Sequence, residues 1–215
     1  MRITLEAAPP QSLKLAQRLA QARTLIDWLD SKIDGLPLST ATRHRLAAGC
    51  LDMTHEHQKG IVVLIESRLY GSAFALVRLL FEAYVRGVWL HQCATEAHVK
   101  QFEKDAQGSS FAELIRDIEK LDGFDVGVLS NVKKRAWRAM NSYTHSGYSQ
   151  AARRNTAEYL ESNYSEDEII DAINFADWIG LLTAAEIAHM SNNENLVQEV
   201  ASRSNSEFSS DTVDS

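Results

Sequence analysis

A chain of 215 residues, 45% of them apolar and 24% charged, has the make-up of one globular domain and excludes a disordered or fibrous protein. At this length folding can bury roughly 70% of the surface of the extended chain, so neither disulfides nor a metal is required to hold a core together. The net charge of −7 excludes a protein that attracts nucleic acid or anionic membrane over its whole surface; any such contact has to be local.

Met1-Arg2-Ile3-Thr4-Leu5-Glu6 lacks the basic start and apolar run of a secretory leader. The two cysteines, Cys50 and Cys93, stand alone in apolar helical patterns and read as small core residues of a reducing compartment. The expectation is a cytoplasmic protein. The most apolar stretch, residues 71–90, carries Arg78, Glu82 and Arg86 at its centre, and each charge would cost about 3 kcal/mol in a bilayer. It reads as a buried helix, and no membrane contact is expected.

All three prolines precede residue 38, and a 3.6-residue apolar period runs almost unbroken, which predicts an all-α helical bundle. Pro9-Pro10 lead into a first helix over residues 11–34, ended by Gly35 and Pro37. Ser39 or Thr40 caps a second helix reaching residue 70; Gly71 breaks the run, and a third helix follows over 72–93. Thr95-Glu96 opens a shorter helix to 106. Ser110 with Glu113 forms a capping box for another to 121. After a turn at 122–125, Ser130 introduces a helix over 131–144 that Ser146-Gly147-Tyr148-Ser149 stops. Residues 150–164 are polar and hold at most one short helical turn. Ser165 followed by Glu166-Asp167-Glu168 starts a long helix to 190. Residues 1–192 thus read as a single helical-bundle domain, and 193–215 as a disordered acidic tail.

The third helix is apolar on nearly every side, as a helix in the middle of a bundle must be. Yet Arg78, Glu82 and Arg86 recur at i, i+4 and i+8 and make one charged stripe. Buried charges need partners, and Glu66, Asp52, Glu56 and His57 of the preceding helix are candidates. Two readings stand: an ion-pair ladder that fixes helix register, or a polar cleft at the bundle centre or a dimer seam. His55-Glu56-His57 lacks the i, i+4 spacing of a chelating pair, and no other ligand set is evident, so neither a metal nor another cofactor is expected.

Arg138 and His145 lie two helical turns apart on one face, with Asn141 between them. That column fits metal-independent RNA cleavage. Histidine is the side chain suited to proton transfer near neutral pH, and arginine holds a phosphate and the charge that builds on it. Tyr143 and Ser146 are further donors. Lys133, Lys134 and Arg135 make the neighbourhood basic within an acidic protein, which suits phosphate contacts; a solvated helix face is the plainer use of the same charges. Trp137 and Tyr148 are able to stack on a base or fill a core.

The segment Arg138-Ala139-Met140-Asn141-Ser142-Tyr143-Thr144-His145 resembles the defining motif of the HEPN superfamily, an Arg, four to six residues and a His near a helix end. The Arg78-x-x-x-Glu82 helix and the end Asn141–Gly147 are similar to those of bacterial relatives, and the likeness spans roughly residues 40–190. The resemblance implies a dimeric, metal-independent ribonuclease with the Arg–His pairs meeting across the interface. Arg138 would bind phosphate and His145 would act as acid or base. Such motifs usually carry a polar residue directly after the Arg; here it is Ala139, with Asn141 as the substitute on the same face. The expected function is therefore a homodimeric endoribonuclease, a toxin or phage-defence effector, with RNA as substrate and an antitoxin as partner. The alternative is a non-catalytic helical module that binds a partner protein or small ligand through Arg78, Glu82 and Arg86.

Overall fold

The computed structural model describes residues 11–106, 108–156 and 161–208, all helix, turn or irregular chain without a strand. The helices are α1 (Leu13–Ile33), α2 (Thr42–Glu66), α3 (Tyr70–Gln92), α4 (Glu96–Glu103), α5 (Phe111–Ile118), α6 (Val128–Thr144), α7 (Tyr148–Ala152), α8 (Glu166–Met190) and α9 (Glu194–Phe208). The expected all-α bundle is what forms. Among the described residues no helix is long and apolar enough to cross a membrane.

α3 is the centre of the bundle. α2 lies along one side of it, α8 along another, and α5 and α6 close it off. Leu80, Phe81, Tyr84, Val85, Val88 and Leu90 are essentially inaccessible. Burial also pushes the Tyr84 hydroxyl far above its usual range. α1 packs across α8 and α2, and a second apolar cluster joins Leu25 and Leu29 of α1 to Leu181, Ala184 and Ala188 of α8 and to Leu196 and Val200 of α9.

Local chemistry sets most boundaries. Ser12, Thr95, Ser110 and Ser165 each accept a backbone N–H in the first turn of their helices, and Ser110 and Ser165 do so within capping boxes with Glu113 and Glu168. The break between α2 and α3 falls at Arg68, not at Gly71. Arg68 adopts the left-handed conformation (φ 58°), and Leu69 N–H closes back on the Leu64 carbonyl at 2.7 Å. Gly71 belongs to α3, where a Cβ would come within 2.8 Å of the Arg154 guanidinium. The larger correction concerns the tail. Residues 194–208 form α9, because Leu196, Val197 and Val200 make an apolar stripe that docks on α1 and α8. Asn193 Oδ1 caps it by accepting from Leu196 N–H, and Glu199 pairs with Lys32. The remainder of the expected tail, 209–215, lies outside the described residues.

One polar chain threads the contact of α1, α2 and α8. Arg18 Nη2 donates to Asp177 Oδ2 at 2.5 Å, Gln58 Nε2 donates to Asp177 Oδ1 at 2.9 Å, and Gln58 Oε1 faces His55 Nδ1 at 3.3 Å. Gln58 fits only because residue 180 is glycine: a Cβ there would lie 2.6 Å from the Gln58 amide carbon. Gly180→Ala therefore displaces the amide, leaves Asp177 one hydrogen bond short, and is expected to cost about 1–3 kcal/mol in urea unfolding. His55 is buried, and desolvation holds its pKa below the usual value. Below about pH 6.5 the unfolded chain takes up a proton that the folded state refuses, so stability is lost as pH falls, by up to about 1.4 kcal/mol per pH unit. Burial raises Asp177, which acts in the opposite sense, so the comparison with His55→Gln isolates the histidine. The stability of His55→Gln should fall less steeply between pH 7 and 5 than that of the wild type.

Candidate functional site

α6 lies against α3 through Leu129 and Met140, which are buried, and through Ala136, Trp137 and Val132. Its end is fixed by three contacts. Thr144 Oγ1 donates to Met140 O at 2.9 Å, His145 N–H donates to Asn141 O at 3.0 Å, and Gly147 N–H reaches Ser142 O at 2.7 Å around the left-handed Ser146 (φ 52°). His145 thus becomes the C-terminal cap of α6, with its ring turned toward α3.

There it meets Arg78. Arg78 Nη1 donates to His145 Nε2 at 2.7 Å, so the imidazole carries its proton on Nδ1 when neutral. Arg78 is itself held by Glu82, whose Oε1 accepts from Nε at 2.9 Å and from Nη2 at 2.8 Å. The guanidinium lies over the Trp137 ring, 4.8 Å from its centroid, and that ring stacks on Phe111 at 4.7 Å. A carboxylate therefore orients an arginine, an aromatic plate supports it, and the arginine orients the histidine. The partners foreseen on α2 are not used: Glu66 pairs with Arg23 of α1.

On the other side of Trp137, α5 and α6 enclose an open groove of about 890 Å³. Arg138 and Asn141 line it together with Lys133 and Lys134, whereas His145, the third residue of the expected column, does not: the helix ends at Thr144, and the His145 ring turns to Arg78 instead. Arg116 of α5 and Lys120 of the turn that follows it join them, so five cationic side chains face one carboxylate, Glu119. Lys120 is partly neutralised by Asp117 (2.7 Å), and Glu119 accepts from the backbone N–H of Ser130 at 2.7 Å. The Lys133 ammonium also sits over Trp137, at 5.9 Å. Trp137 is the wall shared by the groove and the Arg78–His145 contact.

The remaining expected site residues stand elsewhere. Arg86 lies over Phe102 of α4 at 5.7 Å, beside a small cleft with Trp89 and His98, so the charged stripe of α3 divides after Glu82. Tyr143 packs on Phe74 (5.1 Å) and toward Tyr164 (6.3 Å), on the side of α6 away from the groove. Arg135 is exposed and does not line the groove, and Tyr148 is 87% exposed with no ring partner among the described residues. Five residues were missed. Arg116 belongs to a short helix, and Lys120 to the turn after it, whose amphipathic pattern gave their position but not their neighbour. The other three form a cluster at the far end of α3, where His91 meets Glu186 and His189 of α8. The i, i+3 spacing of Glu186 and His189 was the available signal for it.

No curated protein and no solved structure shows significant similarity to the chain. Residues 51–213 match a family of unknown function, DUF6988; the match takes in α3, the groove helices α5 and α6, and α8, and the chain belongs to that family.

Proposed function

We propose that the chain is a metal-independent endoribonuclease of HEPN type, acting as a homodimer in the manner of a toxin or phage-defence effector. The observation that carries this reading is the Arg78–His145 contact at 2.7 Å, joined through Trp137 to a groove with an excess of positive charge. The groove takes the phosphate backbone of a single strand through Lys133, Lys134 and Arg138, with Trp137 as an aromatic surface beside it. Once the substrate phosphate has drawn Arg78 away and freed His145 Nε2, that nitrogen removes the proton from a ribose 2′-hydroxyl, the oxygen bonds to the adjacent phosphorus, and the bond to the 5′-oxygen breaks. The leaving oxygen is protonated by a second imidazole, which a homodimer supplies. Arg138 and Arg78 carry the charge that grows on the phosphate, and this is the contribution a metal makes in other nucleases. The products are a 2′,3′-cyclic phosphate end and a 5′-hydroxyl end.

A second reading rests on the saturation of Arg78. Glu82 and His145 already accept from three of its nitrogens, which is enough for a structural clamp between α3 and α6 in a non-catalytic module that binds a partner protein. RNA cleavage in the presence of EDTA, and growth on expression in cells, separate the two. The enzyme reading expects the wild type to cleave RNA and arrest growth, His145→Ala to lose about 10²–10⁴ of the rate, and Arg138→Ala about 10²–10³. If wild type and His145→Ala are alike inert in both assays, the enzyme reading fails and the module reading stands. Binding of single-stranded RNA should weaken with salt, and Lys133→Ala with Lys134→Ala together should lower the slope of log K against log salt by about 1.4.

A further inference from the structure

At the end of α3 opposite to Arg78, about 20 Å away by helix rise, a polar cluster has no part in the proposed reaction. His91, Glu186 and His189 each offer one ligand atom, and these atoms all lie within 4.8 Å of one another. Glu186 and His189 stand one turn apart on α8, and His91 faces them from α3. His91 Nδ1 is 2.5 Å from Glu186 Oε1. The carboxylate is further held by Gln92, whose Nε2 donates to Oε1 at 2.9 Å and Oε2 at 2.7 Å. The Glu186 side chain is 6% exposed and that of His91 13%, whereas His189 is exposed and stands at the mouth.

A buried carboxylate beside one histidine and one amide is already satisfied, and such a pair alone would be a structural ion bridge. The cluster contains more than that role uses. The His189 ring stands edge-on to His91 at 5.5 Å, and the His44 ring of α2 does the same at 5.4 Å. His44 Nδ1 is buried without a hydrogen-bond partner, an expense that a plain ion bridge leaves unexplained. Two imidazoles thus face one carboxylate, and a third, His44, backs the His91 ring.

We infer that His91, Glu186 and His189 form a binding site for one divalent first-row transition-metal ion, with water completing the shell and Gln92 orienting the carboxylate. Two imidazoles and one carboxylate are a ligand set shared by zinc and non-haem iron sites, and nitrogen ligands disfavour magnesium and calcium. Bonds of about 2.1 Å in a tetrahedral shell place ligand atoms about 3.4 Å apart. The His91–Glu186 edge, at 2.5 Å, opens toward this spacing as the ion enters, and His189 draws inward, which its exposure allows. A hydrogen-bonded carboxylate is what a ligating glutamate requires around it, and Gln92 supplies those bonds. The bound ion replaces the proton between His91 and Glu186, so binding weakens as pH falls. It ties the last turn of α3 to the last turn of α8 and stabilises the bundle without entering the RNA site.

Zn²⁺ titrated by calorimetry into the full chain, stripped with chelator and dialysed, tests the site. One Zn²⁺ per chain is expected, with the Tm raised by about 5 °C at a hundredfold excess over Kd. Co²⁺ should bind with intense visible bands of low-coordinate geometry, while Mg²⁺ and Ca²⁺ leave the Tm unchanged. His189→Ala removes an exposed ligand and leaves the packing intact, and it should weaken Zn²⁺ binding more than tenfold; Glu186→Gln should do likewise where circular dichroism shows it folded. Gln92→Ala should weaken it about 10–100-fold. No Zn²⁺ binding by the folded wild type, or unchanged binding by His189→Ala, overturns the assignment.

Discussion

A helix that is apolar on nearly every side has to be surrounded, and the burial of α3 is the constraint on which the rest of the molecule depends. Val77, Leu80, Phe81, Tyr84, Val85, Val88 and Leu90 need cover in every direction, and α2, α8, α5 and α6 provide it. The charges on such a helix are then confined to places where the cover is incomplete. Arg78 and Glu82 meet at the edge where α6 ends, and their mutual pairing limits the desolvation each would otherwise suffer. His145 joins that pairing: local hydrogen bonds end α6 beside α3, and the His145 ring there accepts from Arg78 Nη1.

What could be read in the sequence follows the same division between local and tertiary causes. α8 begins and ends at the residues that its cap and period predict, because Ser165, Glu168 and a continuous apolar face are all local signals. The face shared by Arg138 and Asn141 is equally local and holds, but His145, expected on the same face, lies past the end of the helix and turns to α3. α9 was illegible because its docking rests on a narrow stripe, Leu196, Val197 and Val200, within a segment otherwise Ser-, Asn- and acid-rich; tertiary burial overrode composition. The pairing of Arg78 with His145 joins residues 67 positions apart, and no periodicity carries that information. For the same reason the sequence pointed to Glu66 as a partner, although Arg23 of α1 claims it.

The two halves of α3 support different chemistry for a physical reason. Toward its start, the cover is α6, a helix of modest hydrophobicity whose outer face is basic, so the polar residues there meet positive charge and an open groove. Toward its end, the cover is α8, whose last turn is mostly buried, so the polar residues there meet each other: His91 and Gln92 share hydrogen bonds with Glu186. Cations directed at solvent suit a long anionic ligand. Nitrogen and oxygen atoms directed at one point suit a small one.

A net charge of −7 runs against a polyanion as ligand, and distance resolves it. At physiological ionic strength fields decay over about 8 Å, so a strand in the proposed site would respond chiefly to the cations lining the α5–α6 groove, while Glu168 and Asp171 line a separate cleft on another face of α6. Lys133, Lys134, Arg138 and Arg116 lie on two adjoining helices along one groove, whereas Glu166, Asp167 and Glu168 gather at the start of α8, where the helix dipole favours them. For the ligand proposed above, the overall acidity would act as a filter: contacts outside the groove would repel a nucleic acid, and only a strand able to enter it would find net attraction, which would favour a flexible single strand over a stiff duplex.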